Sequence, residues 1–358
     1  MKPHRFPLPF LFLSILALLA ALWAGLMRLG WGLPAPTPSL ALAHGPLMIS
    51  GFLGTLITLE RAVALKQKWM YIPPLLAGLG GLLTFLIQTP PLGPILLTLA
   101  SLGGVAILFE ITRREMAFHT LTMLLGMLTW FAGNLLWLFG WQIFQVVFFW
   151  QAFLVLTITG ERLELSRVLR PSRGQQLLFA AIILIFLTGT IVSVFSIQFG
   201  TRTTGAALIL IALWSIRNDI AWRNLRHRLP LTRYIAWCLA LGFVWLGVGG
   251  ALSLGGGAQF AGPGYDALLH AVFIGFVISM IFGHAPIIFP AVLGVPINFQ
   301  PAFYVQLILL HVSLALRVSA DYADLHTLRM WGGLLNEIAI LLFMGMTVHS
   351  VRKSLLGK

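Results

Sequence analysis

Charged residues make up only 9% of this 358-residue chain, and only ten of them are acidic. A water-soluble domain carries roughly a quarter charged residues, so the shortage excludes water as the main solvent. There is a single cysteine, Cys238, which excludes an internal disulfide framework and any CxxC-type metal or redox site. Redox chemistry, if the chain performs any, must rest on a bound cofactor. Long polar stretches are missing too, so no separate soluble domain is expected, and residues 1–358 are read as one transmembrane helical bundle.

What the chain has instead is apolar surface, with 59% of its residues hydrophobic. A helix needs about 20 largely apolar residues to cross a bilayer. Breaking the apolar windows at Pro, Gly and charge clusters predicts twelve spans: 8–30, 41–62, 70–88, 92–111, 118–139, 141–160, 175–197, 203–220, 232–254, 266–288, 300–318 and 327–349. The N-terminus, with Lys2, Arg5 and the run from Phe10 to Gly25, has the pattern of a signal peptide. Its apolar stretch continues to Trp31, so a retained first helix is expected.

The net charge of +13 invites a nucleic-acid reading, but the basic residues sit in short clusters between apolar runs, where they orient helices. With the N-terminus in the cytoplasm, the inner side receives all 23 basic residues except Arg28, Arg202, Arg317 and Arg329. An even helix count with both termini inside, in a cell (inner) membrane, follows from that bias. Nucleic acid is not an expected partner; membrane lipid is. Glycine groups such as Gly78, Gly80 and Gly81, or Gly247, Gly249 and Gly250, permit close helix contact in lipid.

Ionisable groups at membrane depth are costly and usually have a task or a partner, so the nine histidines carry the most information. His4, His227 and His349 lie near cytoplasmic charge clusters. His44 opens the second span in AHGPLMISGFLGTLITLE, and Met48, Gly51, Thr55 and Thr58 follow at helical spacing. A stripe of one imidazole, small residues and hydroxyls suits a flat, bulky ligand, with Met48 and Gly51 lining its pocket. It equally suits a histidine bonded to a neighbouring helix, with Gly51 there for packing. His270 opens the tenth span at the same outer depth, and His284 follows 14 residues later, about 21 Å along the axis.

Neutral imidazole is a good haem ligand, and a histidine from each of two helices is a common way to hold the iron. His44 and His270 meet the depth requirement. His119 and His284 lie level with each other near the inner side and could form a second metal site, though His119, beside Arg113, Arg114 and Glu115, is more simply interfacial. His311, in the eleventh span, is either an additional ligand or a hydrogen-bonded structural histidine. Asp321, Asp324 and His326 read as a solvated acidic outer loop. Glu60 and Arg61 read as a local pair, and Glu337 as a proton-transfer group or a partner of Arg317 or Arg329.

HGPLMISGF resembles the second-helix segment of haem–copper oxidase main subunits, in which the histidine binds a low-spin haem and the tenth of twelve helices supplies the opposing one. The resemblance implies that His44 and His270 are axial ligands of a b-type haem in a bundle of that type. The sixth span has no histidine and the tenth no H-x-H, so the copper ligands and the high-spin haem ligand of an oxygen-reducing centre are missing. Oxygen reduction by that mechanism is not expected. A closer likeness is to the NnrS family of haem- and copper-containing membrane proteins linked to nitric oxide. It is carried by GHAPIIFP, by ILLHVSLALRVSADY…GGLLNEIAILLFM and by the N-terminal H-x-x-x-M-x-x-GF element. The chain is shorter than that family between His270 and His284, which leaves the role of His284 open.

The function implied is electron transfer, or nitric oxide response or detoxification, with a redox partner or small gas ligand, haem b as cofactor and copper as a possible second metal. A six-coordinate bis-histidine iron favours electron transfer over catalysis, and whether any reaction is catalysed stays open. The alternative is a twelve-helix secondary transporter, whose two halves would repeat; no repeat is visible between 8–160 and 175–349. A structural subunit that binds an assembly partner is a third reading.

Overall fold

The computed structural model describes residues 6–87, 91–169, 171–295 and 298–356. Lys2, His4, Arg5, Arg170 and Lys358, to which the charge bias gives the inner side, lie outside the described residues. Twelve helices are long and apolar enough to cross a membrane: α1 Leu8–Leu29, α2 Leu40–Leu65, α3 Lys68–Leu86, α4 Leu92–Arg114, α5 Phe118–Leu138, α6 Ile143–Leu165, α7 Arg173–Phe195, α8 Ile197–Asn218, α9 Pro230–Gly256, α10 Gly262–Pro290, α11 Phe303–Tyr322 and α12 His326–Ser354. Among the described residues there is no β-strand. Hydrocarbon offers the backbone no hydrogen bonds, so helices that satisfy their own amides are the natural outcome of such a sequence.

The expected count of spans is met, and most boundaries agree within a few residues. Two differ in a useful way. α8 begins at Ile197, six residues before the expected start, because Ser196 ends α7 and caps α8, its Oγ accepting from the Phe199 amide. The Gln, Gly, Thr and Arg residues of 198–203 look like a loop but are the polar first turns of a helix. α10 begins at Gly262, with Pro263 in its first turn, which brings Asp266 and His270 inside a helix rather than leaving them at its mouth.

Side chains on the outer flank of α7 show what solvent these helices meet. Leu177, Leu184, Ile191 and Phe195 are all exposed along its length, Phe195 at 84%. Water-soluble proteins do not leave an entire helix flank apolar and open; a lipid environment makes it the favourable surface.

The chain forms two compact units, residues 1–157 with 288–295, and residues 158–287 with 296–358. In the first, close backbone approach is set by glycine. A Cβ on Gly81 would stand 2.6 Å from the Gly51 Cα, and a Cβ on Gly54 would stand 2.4 Å from the Trp130 ring. In the second, a Cβ on Gly250 would stand 2.7 Å from the Gly205 carbonyl oxygen, which is how α8 and α9 meet. Of the glycine groups singled out by sequence, Gly78, Gly80, Gly81, Gly249 and Gly250 all sit in contacts of this kind, whereas Gly247 meets only Ala212 at an ordinary 3.5 Å.

Both candidate ligand helices depart from regular α geometry. Residues Leu47–Gly54 of α2 and Ala271–Ile278 of α10 form π-helix, the first beginning three residues after His44 and the second immediately after His270. Such wide turns are rare and often sit at functional positions.

Candidate functional site

In the first unit, half-buried His44 is tied to the neighbouring α1: its Nδ1 lies 2.8 Å from the Ala21 carbonyl oxygen. A carbonyl can only accept, so Nδ1 carries the proton and, in the neutral ring, the lone pair falls on Nε2. The stripe expected below His44 is used in several ways. Met48 is half-buried. Gly51 faces Gly81 and Ala17. Thr55 and Thr58 donate to the carbonyls of Gly51 and Gly54 at 2.7 and 2.6 Å, back onto their own helix. The π-helical stretch shifts the register, so even spacing in sequence does not give one continuous face.

The same unit holds a buried polar network with no histidine in it. Asn134 Oδ1 accepts from Trp150 Nε1 at 2.9 Å and from Ser50 Oγ at 3.3 Å, while its Nδ2 donates to the Leu97 carbonyl at 3.1 Å. Trp130 Nε1 donates to Ser50 Oγ at 2.9 Å and its ring stacks on Phe153. One amide thus links α2, α4, α5 and α6. His119 is buried at the start of α5, its Nε2 3.8 Å from the Glu115 carboxylate of the preceding turn.

In the second unit, half-buried His270 is held through Nδ1, 2.9 Å from the Asp266 carbonyl oxygen and 3.2 Å from its carboxylate. Arg317 on α11 closes the group, donating from Nε and Nη2 to the two Asp266 oxygens at 2.7 and 2.8 Å. The sequence puts Arg317 at the outer end of the eleventh span; in the structure it is buried inside α11, where Asp266 neutralises it. Of the expected solvated loop, Asp324 and His326 are exposed as read, and only Asp321 differs. Asp321 is buried in the last turn of α11, 3.0 Å from Arg329 Nε, and His326 begins α12. Glu337 on α12 acts electrostatically on Arg317, as the sequence allowed.

His284 is buried, with Nδ1 2.8 Å from the Met280 carbonyl of its own helix. His311 is half-buried, its Nε2 3.2 Å from Ser279 Oγ; that hydroxyl in turn donates to the Cys238 carbonyl at 2.7 Å. A second buried ion pair, which the sequence did not reveal, joins Arg162 to Asp219 through two bonds of 2.9 and 2.8 Å. Among the described residues no group of three or more His, Cys, Asp or Glu side chains could hold a metal ion.

Against known families, one profile covers nearly the whole chain, from residue 5 to residue 352, and its description is Domain of unknown function (DUF8744). The chain belongs to the DUF8744 family. No curated protein matches it. Within this DUF8744 protein, the sequence-predicted residues fall in different units: His44, Met48, Gly51 and His119 in the first, and His270, His284 and His311 in the second.

The candidate ligands share one chemical feature. His44, His270 and His284 each give Nδ1–H to a carbonyl oxygen. Metal-bound histidines typically donate the other ring N–H to a carbonyl or carboxylate, which fixes the tautomer and orients the ring. His44 and His270 have that donor arrangement, and His270 has the carboxylate as well, so their chemistry fits an iron ligand. His119 does not share it, having its Nε2 toward Glu115.

Proposed function

We propose that this DUF8744 protein is a b-type haem-binding integral membrane protein that works in electron transfer or the response to nitric oxide, with His44 and His270 as the axial ligands. The observation that carries the reading is the anchoring of both rings through Nδ1, to Ala21 and to Asp266, which leaves Nε2 as the atom with the lone pair. The π-helical stretches that follow each histidine are a second support. A bound haem would supply one-electron redox chemistry, and gas binding if one imidazole leaves. The protein's part is to orient the rings and, through Asp266 and Arg317, to set the charge beside one of them.

The proposed layout is that of a haem–copper oxidase main subunit, with both termini on the cytoplasmic side of the cell membrane. In its support, the three most buried spans are α2, α6 and α10, at 61%, 83% and 72%, spaced four helices apart. The basic residues, concentrated on alternate loops, support the orientation.

The test is a visible spectrum of the purified protein. A reducible b-type absorption band is expected, and His44→Ala and His270→Ala should each abolish or shift it. A colourless protein from haem-sufficient cells, or a band indifferent to both substitutions, would sink the reading.

One observation favours a secondary transporter instead. The sequence offered few deep charges to couple an ion, yet Arg317–Asp266 is an ion pair buried between two spans, the kind of group that marks ion pathways in membranes. A colourless protein stabilised by a transported solute would favour it.

A further inference from the structure

The inward side of α11 is polar along most of its length. Gln306, Ser313, Arg317 and Asp321 are all buried, and with Leu310 they recur every three or four residues, so they share one face. From Gln306 to Arg317 is about 16 Å along the axis.

Polar atoms beside this face are buried without a hydrogen-bond partner among the described residues. They are His311 Nδ1 and Asn336 Oδ1; the Tyr234 hydroxyl and the Gln306 amide have only each other and the Cys238 thiol as neighbours for a bond. Gln306 is fully buried, and the Tyr234 hydroxyl lies against it. Asn336 is placed by its other atom, which donates to Ser313 Oγ at 2.6 Å and to the Leu310 carbonyl at 3.1 Å. An amide left bare in an apolar interior costs several kcal/mol, and internal water bonded to such groups is the usual remedy. These atoms come from α9, α11 and α12 and rise in order from the Phe303 end of α11. At that end Tyr234 packs against the rings of Phe299, Phe303 and Tyr304.

The upper end of the row has a charge imbalance. Asp266 pairs with Arg317 and Asp321 with Arg329. Glu337, the residue after Asn336, acts on Arg317 but belongs to neither pair. Three carboxylates therefore share two guanidinium groups, with the His270 imidazole 3.2 Å from Asp266 as the remaining titratable group; with that ring neutral, the cluster reaches neutrality with one added proton.

We propose that Glu337 takes up and releases a proton, and that a file of internal water along α11, running from Tyr234 past Gln306 and Asn336, connects it to the Phe303 end of the helix. The proton moves by hops along hydrogen-bonded water: one enters at the Tyr234 end as one binds the Glu337 carboxylate, and release is the reverse. The Arg317 cation closes the other end, since a fixed positive charge in a narrow file opposes proton passage. Neither haem nor a transported solute is needed for this step, so it stands or falls separately from the function proposed above.

Infrared spectroscopy of the full chain in lipid vesicles tests it. Acidification should produce the carbonyl stretch of a protonated carboxyl, shifted in D2O, present in Glu337→Asp and absent in Glu337→Gln. Gln306→Leu and the milder Tyr234→Phe should keep that band but slow its hydrogen–deuterium exchange about tenfold or more, the effect of ~1.4 kcal/mol of added barrier. Melting curves identify any variant that has lost its fold, and Tyr234→Phe, which removes only the hydroxyl, serves if Gln306→Leu does. The proposal is overturned if no titrating band depends on Glu337, or if folded variants exchange as fast as the parent protein.

Discussion

Arg317 and Asp266, 51 residues apart in sequence, meet in a two-bond ion pair with donor–acceptor distances of 2.7 and 2.8 Å. Both lie inside spans that are long and apolar enough to cross a membrane. The planar guanidinium fits both carboxylate oxygens at once, a match lysine cannot make. Around them the packing is close: a Cβ on Gly332 of α12 would stand 2.8 Å from the Arg317 backbone nitrogen. The pair joins α10 to α11 and places a carboxylate beside the His270 imidazole.

Removing one partner of that pair strands a buried charge. Arg317→Leu or Asp266→Leu is expected to cost about 3–5 kcal/mol, and the double substitution much less than the sum, because it removes both charges together. Thermal unfolding of the detergent-solubilised single and double variants measures this coupling; additive losses would mean that the pair is not an energetic unit.

The second pair should distinguish arginine from lysine in the same way. Arg162 gives two bonds to Asp219, whose Oδ1 also accepts from the Ala221 amide at 2.7 Å. Arg162→Lys keeps the charge but loses the two-point fit, and a loss of about 1–3 kcal/mol is expected. Equal melting curves for the two proteins would contradict it.

At Asn134, replacement by Leu removes the acceptor of Trp150 Nε1 and the donor to the Leu97 carbonyl. Each orphaned group carries a desolvation cost of about 1–3 kcal/mol. The fluorescence of Trp150 should change with the loss of stability, since its indole N–H loses its partner.

Gly81→Val tests the α2–α3 contact. Its new Cβ would fall 2.6 Å from the Gly51 Cα, and backbone cannot retreat as a flexible side chain can. An overpacking cost of about 1–3 kcal/mol or more is expected. The matched substitution Gly255→Val, at a glycine whose Cβ would meet nothing within 4 Å, should cost far less. Similar losses at both positions would mean that helix propensity, not contact, sets the effect.

The site was legible only in part. His44 and His270 stand out because imidazole is rare in apolar spans, and their depth follows from counting residues. Their Nδ1 partners were not legible: the Ala21 carbonyl that holds His44 belongs to another helix, and a carbonyl has no sequence signature. Asp266 could have been found, since it precedes His270 by one helical turn within the expected span 266–288. Asp219 and Asn134 carry no local pattern that marks them as partners of Arg162 and Trp150.

The amino-acid sequence by itself determined the number of spans and nearly all their limits, because the need to satisfy backbone amides in a medium without water acts on each apolar window independently. Partnership among the few polar side chains was decided by the tertiary structure alone. Whether Arg317, at the outer end of its span, is solvated or buried depends on which carboxylate a separate helix brings to it, and helix rotation and approach are set by packing over distances that local sequence does not encode.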